Sequence, residues 1–455
     1  MDLAFSSATQ LADAIRRRDA SATEVLSAHL EQIEKRNPAL NAVVTLDAER
    51  AFERAGEADA ALARGESWGP LHGVPFTLKD AHCTAGMRTT AGFPPFADFV
   101  PTRDSTIAAR LKAAGGVLIG KTNVPVMLAD FQSDNPIFGR TNNPWNLERT
   151  PGGSSGGAAA ALASGMTPFE IGSDLSSSIR LPAHFCGVFG LKATETRIAG
   201  TGFIPDPSGS SRGPRLLVSF GPMARTIDDL ALLEAIIAGP DGSDTEVRPV
   251  PTTAPPNLEL RDLRIAVAPA LPDVPVSRSV RKAVEKLADL LGEYATVDLA
   301  APDLDFAEQL SRGGELTEMM LASLLPDDED AAATLPEYFA ALMKRDRFIN
   351  AWENFLDSWD VLLMPPAMVT AFAHNDGRKS LQVDDQMVDY FMVSAYGSLF
   401  NYTGHPAVVM PYTHDEHGLP IGIQLVGKRW SEAQLLGAAK AISNITGDFH
   451  RPSGY

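Results

Sequence analysis

Apolar positions with helical spacing open the chain. Ser7 can cap a segment carrying Leu11, Ala14 and Ile15, and Thr23 can cap a second carrying Val25, Leu26, Leu30 and Ile33. Residues 7 to about 62 are therefore expected to be helical. Between about 68 and 245 the texture changes. Short apolar runs at 74–78, 117–119 and 169–171 alternate with Gly/Pro/Ser loops and with Ala-rich stretches such as 158–163. Strands alternating with helices predict an α/β fold with a mixed, mainly parallel central sheet flanked by helices on both faces. Residues 239–262, rich in Gly, Pro and Asp, form a turn-rich crossing, after which 263–298 resume strand and helix. An acidic helical region follows from about 304 to 358, carrying Phe306, Leu310, Leu316, Met319, Met320 and Leu324. Its apolar face reads as packed helix, with a substrate-cavity wall as the lesser reading. Apolar runs at 361–365, 407–411 and 421–426 are candidate buried strands.

The bulk numbers narrow the function classes. With 455 residues, 44% of them apolar and 21% charged, the chain can bury a sizeable core. A formal charge of −18 disfavours nucleic acid and anionic membranes as partners, since both would repel it. Only Cys83 and Cys186 are present, too few for a disulfide framework, and a reducing, cytoplasmic setting is expected. No basic, apolar leader and no run of about 18 apolar residues is seen, so neither a signal peptide nor a membrane span is expected. No His/Cys/Asp cluster has ligand spacing, so no metal and no cofactor is expected.

Three motifs compete for the chemistry. Gly115-Gly-Val-Leu-Ile-Gly120-Lys121-Thr122 satisfies the phosphate-loop pattern, but that loop needs a strand before its glycines and a helix at its lysine. Here residues 107–114 look helical and 117–119 look like the strand, so the context is reversed. The loop Gly152-Gly153-Ser154-Ser155-Gly156-Gly157 satisfies G-x-S-x-G twice. A nucleophile elbow would need a strand running into the first glycine, yet Pro151 stands there, and no histidine carries a motif of its own. The same loop running into an Ala-rich helix presents backbone N–H groups and hydroxyls at one point, a poor place for a flexible linker.

The stretch from Gly152 to Lys192 decides between them. The serine loop is followed by Gly172-Ser-Asp174-Leu-Ser-Ser-Ser178-Ile-Arg180-Leu-Pro182 and by Phe185-Cys186-Gly187-Val-Phe-Gly190-Leu-Lys192. Upstream stand Gly73-Val-Pro75-Phe-Thr-Leu-Lys79-Asp80, Gly120-Lys121-Thr-Asn123 and Pro136-Ile-Phe-Gly139-Arg-Thr-Asn142-Asn-Pro144-Trp. Downstream stand Gly221-Pro222-Met-Ala-Arg225-Thr, Gly404-His-Pro406 and Gly418-Leu-Pro420-Ile-Gly422-Ile-Gln424-Leu-Val-Gly427. As an ordered set these motifs resemble the amidase signature family over roughly residues 65 to 440.

The resemblance implies that Lys79 is the ultimate base, Ser154 a bridging serine and Ser178 the nucleophile. It places the oxyanion donors at the backbone N–H groups of Leu175, Ser176, Ser177 and Ser178. Ser155, Asp174 and Arg180 are read as supporting residues that hold the loop by hydrogen bonds. Met127, Leu128, Phe131 and Gln132 lie in the segment that the resemblance implies as lining of the substrate pocket, with a core role for Leu128 and Phe131 as the equal alternative. The chain departs from the family at Ser176-Ser177, where Gly-Gly is usual. Serine penalises positive φ and fills space, so the acyl side is narrowed or gains hydroxyl donors.

Chemistry fits these roles. An alcohol attacks a carbonyl only after losing its proton, and a lysine can take that proton if burial keeps it neutral. The expectation is one domain over residues 1–455: N-terminal helices at 1–65, a signature core at 66–245, and a C-terminal part at 246–455 with the helical insertion. The expected activity is hydrolysis of a small-molecule amide, ester or carbamate by a monomer or homodimer, with aryl amides or urethanes as specific substrates. The alternative within the family is the amidase subunit of a glutamine-dependent tRNA amidotransferase. The segment Asp206-Pro-Ser-Gly-Ser-Ser-Arg-Gly-Pro214 favours a stand-alone hydrolase over it. A non-catalytic binding protein on the same scaffold is the alternative outside the enzymes.

Overall fold

The computed structural model describes residues 1–205, 216–322 and 333–455. The 206–214 segment and Leu324 lie outside them. Ser7 caps the first helix, Ala8–Arg17, through a reciprocal pairing with Gln10. The second helix, Ala22–Leu40, is capped by Ser21 rather than Thr23. Ser21 pairs with Glu24, while the Thr23 hydroxyl donates to Asp59 Oδ2 at 2.7 Å. The N-terminal region is not helical throughout, because Asn41 turns left-handed at φ 50° and the strand Val43–Leu46 follows. The β-branched pair Val43 and Val44 favours strand there. The helix Ala48–Ala63 then completes the region.

Eight strands build the central sheet. Their order is Thr296–Leu299, Arg264–Val267, Val361–Met364, Pro420–Val426, Ala407–His414, Phe189–Lys192, Ser219–Ala224, Phe169–Asp174. The first three run parallel, and each later neighbour is antiparallel. The α/β class and the mixed sheet are as expected, but the parallel majority is not. Ala407–His414 and Pro420–Val426 form a hairpin whose turn closes from Gly418 N–H to the Asp415 carbonyl at 3.0 Å. Strand–helix alternation signals crossovers and is blind to such a return.

Both faces of this sheet are covered. Along Val361–Met364, Val361 and Leu363 face one apolar cluster while Leu362 and Met364 face another. The helix Arg278–Leu291 buries Val280, Val284, Leu287 and Leu291 on the first side, a stripe at helical spacing. Each such side chain contributes roughly 1.5–3 kcal/mol on burial. Phe306–Ala322 and Leu335–Leu356 are the helices of the acidic region, and Phe306 and Trp352 close the second cluster.

A smaller sheet of Val43–Leu46, Val117–Thr122 and Pro75–Lys79 lies beside the large one. Helix Thr106–Ala113 precedes the glycines of the phosphate-loop-like stretch and a strand follows them, the order that stretch predicted. Side chains of the large sheet's end fasten the small sheet. Glu170 accepts from the Lys79 N–H at 3.0 Å and from the Thr122 hydroxyl at 2.6 Å, and the Thr77 N–H donates to Thr167 Oγ1 at 3.1 Å. Phe76 stacks on Phe169 with ring centroids 5.3 Å apart. These contacts fix where the strand ends, and Lys79 is its last residue.

Candidate active site

Lys79 is fully buried, and its amine lies among three hydroxyls: Ser154 Oγ at 2.7 Å, Ser155 Oγ at 2.8 Å and Ser173 Oγ at 2.9 Å. Burial lowers its pKa from 10.5 to about 7, with the charges of Asp174 and Glu170 holding it back from falling further. Glu170 moves the other way, to about 7, because burial outweighs the four hydrogen bonds that favour its charged form. A neutral amine has two N–H bonds and one lone pair. With three oxygens around it, at least one hydroxyl must therefore donate to the nitrogen.

The serine loop is ordered and buried. Gly156–Ala163 is a helix buried on every side, as its sequence without a polar side chain allows. Its second residue touches another backbone: a Cβ on Gly157 would stand 2.4 Å from the Asn123 nitrogen. Just before the helix the Gly153–Ser154 peptide is cis. Ser155 N–H donates to the Ser178 carbonyl at 3.1 Å, which stitches this loop to the turn carrying Ser178.

That turn follows the strand Phe169–Asp174 and wraps around one carboxylate. Asp174 accepts from the N–H groups of Ser177 (2.9 Å) and Ile179 (3.1 Å), and from Arg180 Nε (3.0 Å) and Nη2 (2.9 Å). Burial works to raise the Asp174 pKa, but the Arg180 charge and these bonds overcome it and hold the carboxyl well below its usual range. Arg180 Nη1 also donates to Gln424 Oε1 at 2.8 Å. Asp174 and Arg180 thus hold the turn. Ser178 itself is 6% exposed, whereas Lys79 has no exposed surface.

The turn corrects one expectation. Ser177 N–H points to Asp174 and, at 3.2 Å, to Asn401 Oδ1, so it is not free to donate to an oxyanion. Leu175, Ser176 and Ser178 remain of the expected four. Ser177 adopts φ 69°, the left-handed region where glycine is at ease, and its buried hydroxyl has no partner among the described residues. The hydroxyl sits against Gly397, where a Cβ would stand 2.3 Å from Ser177 Oγ. A serine at 177 therefore requires glycine at 397. The extra side chain fills space behind the turn rather than adding a donor to it.

A cavity of about 640 Å³ opens beside Leu175 and Ser176. Leu217, Leu310, Phe131, Phe391, Met392 and Tyr402 contribute apolar surface, and Gln309, Thr317, Ser398 and Asn401 contribute polar groups. Helix Phe306–Ala322 supplies one wall, so the lesser reading of that region applies to part of its length. Of the four expected pocket residues only Phe131 lines this cavity. Met127 is exposed, Leu128 packs toward the main core, and the Gln132 carboxamide pairs with the Asn375 backbone at 2.9 Å in both directions. Spacing in the 127–133 loop did not reveal that Met127 and Leu128 take left-handed φ, which turns the loop. A second cavity of about 600 Å³, bordered by Arg149, His374 and Asp415, holds none of the site residues.

Sequence reasoning missed Ser173, Glu170 and Asn401. Ser173 was visible as the residue before Asp174, on the opposite face of the strand. Among the described residues no group of three or more His, Cys, Asp or Glu side chains is arranged to hold a metal ion, and no helix is long and apolar enough to cross a membrane.

The amidase family model matches residues 24–322 and 318–436, and the chain belongs to this family, the amidase signature hydrolases acting on amide C–N bonds. A glutamyl-tRNA(Gln) amidotransferase subunit from Moorella thermoacetica is 34% identical, over 99% of this chain and 98% of its own length. A solved protein from an unexpected vestigial complex, bearing on the origins of an s-triazine catabolic enzyme, superposes with TM-score 0.87. It is 27% identical and covers 98% of this chain and 100% of its own. A bacterial aryl acylamidase of the amidase signature family superposes with TM-score 0.83 at 25% identity, covering 97% and 96%.

Proposed function

We propose that this chain is a stand-alone hydrolase that cleaves amides with an apolar acyl or aryl group through an acyl-enzyme at Ser178. Neutral Lys79 accepts the Ser154 proton while Ser154 accepts that of Ser178, and Ser178 Oγ attacks the carbonyl carbon. The N–H groups of Leu175, Ser176 and Ser178 stabilise the oxyanion. The relay then returns the proton to the departing amine, and water releases the acid along the same path. The observation that carries this reading is the buried Lys79 amine 2.7 Å from the Ser154 hydroxyl, on a loop bonded to the turn of Ser178. The apolar share of the adjoining cavity supports anilides and aryl esters or carbamates as substrates. A cytoplasmic setting fits the acidic, cysteine-poor sequence.

A second reading is the glutaminase component of a tRNA amidotransferase, which the 34% identity to the Moorella thermoacetica protein favours. That role needs partner chains and a site for a small polar amide. The chain purified alone separates the two when assayed with an anilide, an aryl ester, a carbamate and glutamine, as wild type and as Lys79→Ala. Turnover of the apolar substrates, lost in Lys79→Ala, supports the first reading. Glutamine as the preferred substrate overturns it.

A further inference from the structure

Asn401 joins the cavity to the turn of Ser178. It sits on the helix Ala395–Thr403, is 3% exposed, and borders the cavity with Ala395, Ser398 and Tyr402 of the same helix. Its carboxamide is used on both sides. Nδ2 donates to the Asp174 carbonyl at 2.8 Å, to Asp174 Oδ1 at 2.9 Å and to the Leu217 carbonyl at 3.1 Å. Oδ1 accepts from Arg180 Nη2 at 2.6 Å and from Ser177 N–H at 3.2 Å. The reverse orientation would set an amide nitrogen against the guanidinium and the N–H, so the surroundings fix which end points where. Only a group with a donor and an acceptor in one plane satisfies both sides, and a carboxylate of the same shape does not.

We propose that Asn401 is a positioning residue for the hydrolysis: its carboxamide sets the turn from Asp174 to Ser178 in the conformation that attacks, and it bears on kcat rather than on substrate affinity. The proposal rests on Ser178 being the nucleophile. Asp174 and Arg180 tie the two ends of the turn together, and in its middle the one N–H held, that of Ser177, is shared between Asp174 Oδ1 at 2.9 Å and Asn401 Oδ1 at 3.2 Å. Asn401 holds that N–H from outside the turn, from a helix that does not belong to it. A rigid element therefore fixes the conformation of the residue just before the nucleophile. Because the same helix borders the cavity and Nδ2 also holds Leu217, a wall residue, the turn and the wall share one support.

The test compares Asn401→Asp, Asn401→Ala and Asn401→Ser with wild type and Ser178→Ala in the full-length chain. An aryl ester is the substrate, and rates are normalised to the fraction labelled at Ser178 by a fluorophosphonate. For Asn401→Ala kcat is expected to fall roughly 10- to 100-fold with KM within about threefold, and the maximal labelling rate to fall with it. Asn401→Asp is expected to fall at least as far despite its matching shape, because an acceptor then faces Asp174 and the Leu217 carbonyl. Asn401→Ser, whose hydroxyl both donates and accepts, is expected to lie between. It carries the test alone if the other two do not fold. A lowered melting temperature with wild-type kcat per labelled site overturns the proposal, as does a loss confined to KM. If Ser178→Ala turns over normally, the nucleophile assignment fails instead, and the two failures are distinct.

Discussion

Lys79 places the sharpest constraint on the chemistry. Its pKa of about 7 in the folded chain, against 10.5 in the open, corresponds to about 5 kcal/mol of differential interaction between its two protonation states. An exposed lysine is neutral roughly once in 3,000 molecules at pH 7, whereas this one is neutral in about half. The base that the reaction needs is thus made available by burial, at the expense of stability. The sign follows from proton counting. Between about pH 7 and 10.5 the unfolded chain binds the lysine proton and the folded chain does not, so this group's cost to stability shrinks as pH rises. The rate is gated at the lower edge of that window. The perturbation is pH from 5 to 9 on wild type, with kcat/KM for a neutral aryl amide as the readout. It should rise tenfold per unit below about pH 7 and flatten above, leaving roughly 1% of the plateau at pH 5. Glu170, also near 7, and Asp174 are the carboxylates that face Lys79, and both favour its charged form. Lys79→Met should lose roughly 10²–10⁴-fold in rate and, with it, the pH limb. Lys79→Arg stays charged throughout and should be equally inactive. A wild-type profile that is flat or falling from pH 5 to 8, or an active Lys79→Arg, refutes the reasoning.

Other consequences follow from the same geometry. Asp174→Asn leaves the buried Arg180 guanidinium without its counter-charge and should cost about 3–5 kcal/mol of stability in denaturant unfolding; an unchanged midpoint contradicts the ion pair's holding role. Ser173→Ala removes one of the three hydroxyls around Lys79. It should lower kcat roughly five- to tenfold with little change in melting temperature, and an unaltered kcat assigns Ser173 no part in orienting the amine. Phe131→Ala trims the cavity wall and should reduce kcat/KM for an anilide roughly tenfold while sparing a small aliphatic amide. Equal losses for both substrates would place the aryl group elsewhere.

Much of this molecule was legible in its sequence, for reasons that differ by feature. Lys79, Ser154 and Ser178 stand in short contiguous motifs, and the structure gathers Lys79, Ser154 and the turn of Ser178 within one hydrogen-bonded group. The Ser21 cap was also present as a serine three residues before Glu24, a stronger signal than Thr23. The antiparallel bias was hidden, because it depends on which strands meet across the sheet rather than on any strand's own residues. Asn401 had no local signal at all: it contacts Asp174 across 227 positions of chain, and only tertiary packing brings the two together. The pocket residues went astray for a related reason. Apolar Met127 and Leu128 resemble lining, but backbone turns at those two positions send the loop elsewhere.

The proposed chemistry depends on a covalent bond to one oxygen. Mass spectrometry of the intact chain after treatment with a fluorophosphonate, followed by peptide mapping, reads that bond directly. The predicted result is a single adduct on Ser178, absent in Ser178→Ala and formed far more slowly in Lys79→Met. An adduct on another residue, or full amide turnover by Ser178→Ala, contradicts it.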